Sequence, residues 1–201
     1  MLRRREPGAG FKFITWDGEG VFRDVTTNQS HVNGANGPAF FYNALRQNAE
    51  FRVLFGDRVH RHFFNDGVLT PQVASDQWTE LTQVLKSPLV AESARWGDFR
   101  GEPPFTPDSP WASVVNGITT MIPQRNMIVL NQLRGIGLYP NTDAPSFSQH
   151  GGPISAGFTL TMTNENGSGT IYYTTDGRDP RLAGGGISTF AQVYAGPLSL
   201  P

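Results

Sequence analysis

The stretch LTPQVASDQWTELTQVLKSPLVAESARWG, from Leu69 to Gly97, carries two prolines, and each follows a hydroxyl residue. A serine or threonine suits the position that caps a helix. Proline suits the first position inside it, where its missing N–H would have no partner anyway. Thr70 with Pro71 therefore predicts one helix start, and Ser87 with Pro88 predicts a second. Gly97 predicts the stop. The same rhythm extends outward in both directions. Pro38 opens a short helix through AFFYNALRQ, and AEFRVLFGDRVHRHFF places Phe51, Leu54, Phe55, Val59 and Phe63 on one apolar stripe. Downstream, one helix is predicted from Pro110 to Met121, and another opens at Pro123 with Ile128, Leu130 and Leu133 as its apolar positions. The first 138 residues thus read as one short strand, FKFITW from Phe11 to Trp16, and roughly five helices.

Beyond residue 140 the pattern changes from helical periodicity to alternation and turn signals. LYPNTDAPSFSQHGG is a linker rich in proline, glycine and serine. GFTLTMTN, GTIYYTTDG and AQVYAGPLSL follow as strand-like runs, separated by NENGSG and DGRDP. The expected architecture is α+β in two parts. A mainly helical segment spans 1–139, and a small antiparallel β module of about four strands, read as an incomplete sandwich, spans 140–201.

Composition narrows the function classes. Charged residues are 16% of the 201, and the net charge is −1, so broad electrostatic capture of nucleic acid is not expected. The basic start MLRRREPGAG is followed by no apolar stretch and is not a signal peptide. No run of about 18 apolar residues is present to span a membrane. With no cysteine, disulfides and thiolate metal sites are excluded.

The strand FKFITW ends in two carboxylates, Asp17 and Glu19. Two residues apart on extended backbone, they point to the same side and can share a hard divalent cation. From spacing alone that signal is weak, and the bland reading, a strand end with solvated acids, is the favoured one. His60 and His62 lie about 200° apart around a helix and cannot chelate one metal. His31 and His150 fall in loops. Asp176 and Asp179 in TTDGRDP are turn formers before they are calcium ligands. Asn28 in NQS and Asn166 in NGS match the glycosylation acceptor pattern. Tyr172 and Tyr173 alternate in direction, so at most one faces outward. No catalytic set of serine, histidine and aspartate can be assembled, and no catalytic residue is assigned.

FKFITWDGEGVF, NGPAFFYNALRQNAEFRVLFGDRVHRHFFNDGVLTP and VAESARWGDFR together resemble the C-terminal part of CotH-type kinase proteins, over about residues 9–138. GTIYYTTDGRDPR with AQVYAGPLSL resembles the chitobiase/β-hexosaminidase C-terminal module, an immunoglobulin-like β domain. The first resemblance implies a secreted or cell-surface parent that transfers phosphate from ATP to protein serine or threonine. In such a parent Asp17 would take the Mg²⁺-binding role of the kinase DFG aspartate, and Glu19 that of the second acid. It also implies that the nucleotide-binding lobe and catalytic loop lie upstream of Phe11 in the family. This chain alone is then expected to be inactive, and to be cut at both ends relative to the family pattern. The second resemblance implies a surface-associated spacer, with a glycan as its possible partner.

Overall fold

The computed structural model describes residues 5–6, 18–30 and 36–200. The predicted strand Phe11–Trp16 lies outside them. So do Asp17 and the side chain of Glu19. A 3-10 helix runs Gly18–Phe22, followed by α1 (Gly37–Leu45), α2 (Ala49–Phe63), α3 (Pro71–Arg100) and α4 (Trp111–Gly135). Six two-residue strands then follow: β1 (Ser146–Phe147), β2 (Thr159–Leu160), β3 (Met162–Thr163), β4 (Tyr172–Tyr173), β5 (Gln192–Val193) and β6 (Leu198–Ser199). The chain is α+β, with the helices first and the strands after them.

Two expected helix breaks do not occur. Pro88 lies inside α3 and Pro123 inside α4, so four helices stand where roughly five were read. A proline inside a helix removes one hydrogen bond and crowds the carbonyl four residues back, at a cost of about 3 kcal/mol. That local cost is outweighed here by the long side-by-side packing of α3 on α4. Near Pro123, the Trp78 indole of α3 donates to Thr119 Oγ1 of α4 at 3.2 Å, and Gln124 Nε2 donates to the Thr120 carbonyl at 2.7 Å. These side chains brace the turn that the proline weakens.

The start of α3 is as expected in position but not in mechanism. Thr70 stands at the cap with Pro71 after it, yet its hydroxyl donates backward to the Gly67 carbonyl at 2.8 Å. Gly97 is not a stop either. Helix α3 continues to Arg100, and Gly97 is where the following loop crosses closely: Phe105 N donates to Gly97 O at 3.0 Å. A Cβ on Gly97 would sit 2.3 Å from the Phe105 carbonyl oxygen.

The core lies between α2, α4 and the segment just after α4. Val59, Leu130, Leu133, Leu138 and Tyr139 are buried together, with Phe51, Phe55 and Phe63 packed against them. Leu54, read as part of the same stripe, is exposed instead. The buried Asn126 amide donates to the Phe63 and Leu69 carbonyls at 3.1 and 2.8 Å, and so fastens the α2–α3 turn to α4. Also from α4, Arg125 donates to the Val25 carbonyl and Gln132 to that of Thr26.

In the β part the run GFTLTMTN is not one strand. It is interrupted at Thr161, and its halves take different partners: β2 pairs with β6, whereas β3 pairs with β1. Strand β4 pairs with β5, Tyr172 opposite Val193 and Tyr173 opposite Gln192. All three pairs are antiparallel. The Asp176–Gly177 turn is therefore not a tight two-residue hairpin turn between paired strands. It lies in the long loop between β4 and β5.

Gly97 and Gly56, both inside helices, should respond differently to a methyl group. Gly97→Ala must push the Phe105 carbonyl away and should cost about 1–3 kcal/mol. At Gly56 the added Cβ meets Leu138 O and Pro140 Cδ at 3.6 Å, an ordinary contact. Gly56→Ala should be neutral or stabilise, since alanine favours the helix by about 1 kcal/mol. Urea unfolding of the two variants checks the contrast.

Candidate functional site at the joint of the two parts

The polar groups that converge most closely do so where the helical part meets the β part. Glu50, in the first turn of α2, accepts two hydrogen bonds from the Arg181 guanidinium, Nη1 and Nη2 each at 2.8 Å. The Gly184 amide donates to the same carboxylate at 2.7 Å. A planar guanidinium facing a carboxylate with two parallel bonds is the most directional ion pair available to a protein. These bonds hold the Glu50 carboxyl down to about 2, the Arg181 bonds contributing most and the Gly184 amide next. The Arg181 guanidinium is raised for the same reason.

The motif TTDGRDPR builds this latch. Asp176 accepts from the Arg178 amide at 3.1 Å, and Asp179 accepts from the Arg181 amide at 2.8 Å. Thr174 Oγ1 bonds the Arg178 carbonyl, and Gly177 takes a φ of +78° that glycine adopts without strain. Thr174, Asp176 and Asp179 thus close turns, and the turns deliver Arg181 to α2. The turn reading of Asp176 and Asp179 holds on these bonds.

A second set of contacts ties down the connecting segment. Arg134 Nη2, near the end of α4, meets Asp143 Oδ1 at 2.8 Å. Asp143 and Asn166 exchange bonds in both directions: the Asp143 amide donates to Asn166 Oδ1 at 2.9 Å, and Asn166 Nδ2 donates back to the Asp143 carbonyl at 2.8 Å.

Two adjoining hollows flank that segment, of about 690 Å³ and about 460 Å³, and His60, Tyr139, Asp143 and Ala144 line both. His60 Nδ1 bonds the Tyr139 hydroxyl at 2.9 Å, and its ring stacks on Phe64 with centroids 4.6 Å apart. Tyr139 lies parallel to His60, at 6.5 Å, with the Arg134 guanidinium over its ring. Across the smaller hollow are His150 and Glu165. Burial pushes the His60 imidazole below its ordinary value of 6.5, and the nearby His150 pushes it further. Burial raises the Tyr139 hydroxyl.

The structure brings His60 and His150 to one cleft, though the sequence reading found no partner for either. Their separation of ninety residues leaves no local signal. His62, two residues on, does not line that cleft. Beside the 3-10 helix that carries Glu19, Val21, Phe22, Trp78 and Leu81 line one groove together with Gln77 and Arg125. The carboxylate there, Asp24, is bonded to the amide and hydroxyl of Thr26. Among the described residues no group of three histidine, aspartate or glutamate side chains could hold a metal ion. Asp17 and the Glu19 side chain lie outside the described residues, and no step is derived through a bound Mg²⁺. Among the described residues, no helix is long and apolar enough to cross a membrane.

No family model, no curated protein and no solved structure matches the chain.

The latch predicts an acid response of definite sign. A carboxyl depressed in the folded chain stabilises docking above its ordinary value of 4.5, and the effect is lost as pH falls from there toward about 2. The Gly184 amide proton resonance should therefore titrate with a midpoint near 2. A midpoint near 4.5 would show that the latch is open in solution. In Glu50→Gln the same resonance should lose its acid titration altogether.

Proposed function

We propose that this chain is the end of a CotH-type kinase-like domain joined to a chitobiase-type β module, and that its own work is non-enzymatic. It holds the β module in a fixed place against the helices. The observation that carries this reading is the Glu50–Arg181 latch. Thr174, Asp176 and Asp179 of the chain's most distinctive motif close turns and Arg181 is bonded to Glu50, which supports docking rather than substrate binding as their work. The change of strand partner at Thr161 supports the sandwich-like reading of the β module, since strands that pass from one sheet to the other bend at such points.

Phosphoryl transfer rests on positioning and on charge stabilisation by several groups acting together. The Mg²⁺ role for Asp17 and Glu19 belongs to the parent enzyme in this reading, with ATP and a protein serine or threonine as its substrates. A secreted or surface location likewise belongs to that parent.

A second reading, glycan binding by the β module, has one observation in its favour. Phe190 is 56% exposed and carries the Arg178 guanidinium 3.8 Å from its ring centre. Tyr172 is exposed as well, whereas Tyr173 is half-buried and bonded to Gln192. Exposed aromatic faces are what sugar rings stack on.

Incubation of the chain with radiolabelled ATP and Mg²⁺ should give no label on protein, and calorimetric titration with chitin oligomers should give no saturable heat. Label that disappears in Asp17→Ala would overturn the non-enzymatic reading. Saturable binding lost in Tyr172→Ala or Phe190→Ala would replace the docking role with glycan recognition.

A further inference from the structure

Two stretches match the glycosylation acceptor pattern, Asn28 with Ser30 and Asn166 with Ser168. The fold treats them differently. The loop that carries the first is held through its carbonyls. Arg125 of α4 bonds that of Val25 at 2.6 Å, Gln132 of α4 that of Thr26 at 3.0 Å, and the Tyr42 hydroxyl of α1 that of Ser30 at 2.9 Å. Asn28 and Gln29, between these anchors, are exposed. Asn28 Oδ1 accepts from the Ser30 amide at 2.9 Å and from the Ser30 hydroxyl at 2.5 Å. Asn28 Nδ2 donates to no acceptor among the described residues.

We propose that Asn28 is an acceptor for N-linked carbohydrate in the folded chain, and that Asn166 is not. Asn166 is half-buried, and its side-chain amide is engaged at both ends. Oδ1 accepts from the Asp143 amide at 2.9 Å, and Nδ2 donates to the Asp143 carbonyl at 2.8 Å. Its use as an acceptor requires those bonds to break first. Asn28 requires no such opening.

The co-substrate is an oligosaccharide carried on a lipid diphosphate. Asn28 Nδ2 attacks C1 of the first sugar, and the N–C1 bond forms as the C1–O bond to the diphosphate breaks. The lipid diphosphate leaves with the electron pair, and one Nδ2 proton passes to a base of the transferase. An amide nitrogen is a poor nucleophile, because its lone pair is shared with the carbonyl. As the proton leaves, negative charge gathers on Oδ1. Donors already aimed at that oxygen lower the cost of the step. Ser30 supplies two of them in the folded loop, its amide and its hydroxyl. Ser168 makes no such bond to Asn166. In the cell the modification needs the transferase's compartment, and so rests on the surface location proposed above for the parent. The chemistry of the two asparagines does not.

The test is therefore made in vitro. The folded full chain is incubated with lipid-diphosphate oligosaccharide and a purified oligosaccharyltransferase that needs only the three-residue pattern, and the glycan is located by mass spectrometry. Asn28 should carry at least about tenfold more glycan than Asn166, since each hydrogen bond that must open at Asn166 has its own cost. Trypsin cuts after arginine and frees Asn28 on residues 24–46 and Asn166 on residues 135–178. In that digest both positions should be modified. In the folded chain Asn28→Gln and Ser30→Ala should remove the glycan, Ser30→Thr should keep it, and Asn166→Gln should leave it unchanged. A folded chain unmodified at Asn28, or modified equally at Asn166, overturns the proposal. A digest modified at Asn28 alone overturns it as well, because the choice would then lie in the local sequence rather than in the fold.

Discussion

The side-chain amide of Asn126 gives both of its protons to main-chain carbonyls, those of Phe63 and Leu69. The first ends α2 and the second precedes α3, so one buried residue fixes where the chain reverses between them. A buried carbonyl without a partner costs about 1–3 kcal/mol, and two stand to lose theirs together. The arrangement requires α4 to run without interruption past Pro123, because Asn126 follows that proline by three residues. Leu130, Leu133 and Arg134 then follow on the same helix and set the core and the start of the connecting segment. Helix α4 is thus the member on which the loop of residues 24–27, the α2–α3 turn and the joint all depend.

The kinds of element were legible in the sequence, because periodicity of 3.6 and of 2 reflects which face is buried. The division into a helical part and a strand part near residue 140 followed from that change of period. Pro38 and Pro71 stand at helix starts as their positions suggest, and Pro88 and Pro123 depart from that rule for a physical reason. The rule says where proline is cheapest locally, whereas the structure reflects the sum of local cost and long-range packing. Gly97 shows the same limit. Its lack of a side chain signals either a helix end or a close neighbour, and the neighbour, Phe105, is visible only once the loop has folded back. The strand pattern overstated continuity, because alternation persists across Thr161 although the pairing partner changes there.

The candidate site was less legible than the fold. Arg181 and Glu50 are 131 residues apart, and no composition or spacing links them. The histidine cleft was hidden in the same way, although the burial of His60 had a faint signal in the apolar positions Val59, Phe63 and Phe64 around it. The acidic pair at Asp17 and Glu19 drew attention because both ligands of a candidate site lay within three residues. Sequence favours sites of that kind, whereas a site assembled by docking is seen only in three dimensions.

Asn166 carries one more consequence. Its side-chain nitrogen uses both protons, one for the Asp143 carbonyl and one for Asn164 Oδ1. Joining a sugar to that nitrogen would leave a single proton for two acceptors and place a bulky group against the connecting segment. The NGS acceptor pattern and the docked joint are therefore competing states of one nitrogen. Carbohydrate at Asn166 would mark a chain caught before the connecting segment had closed on the strands, making occupancy of that position a record of the order in which folding and modification took place.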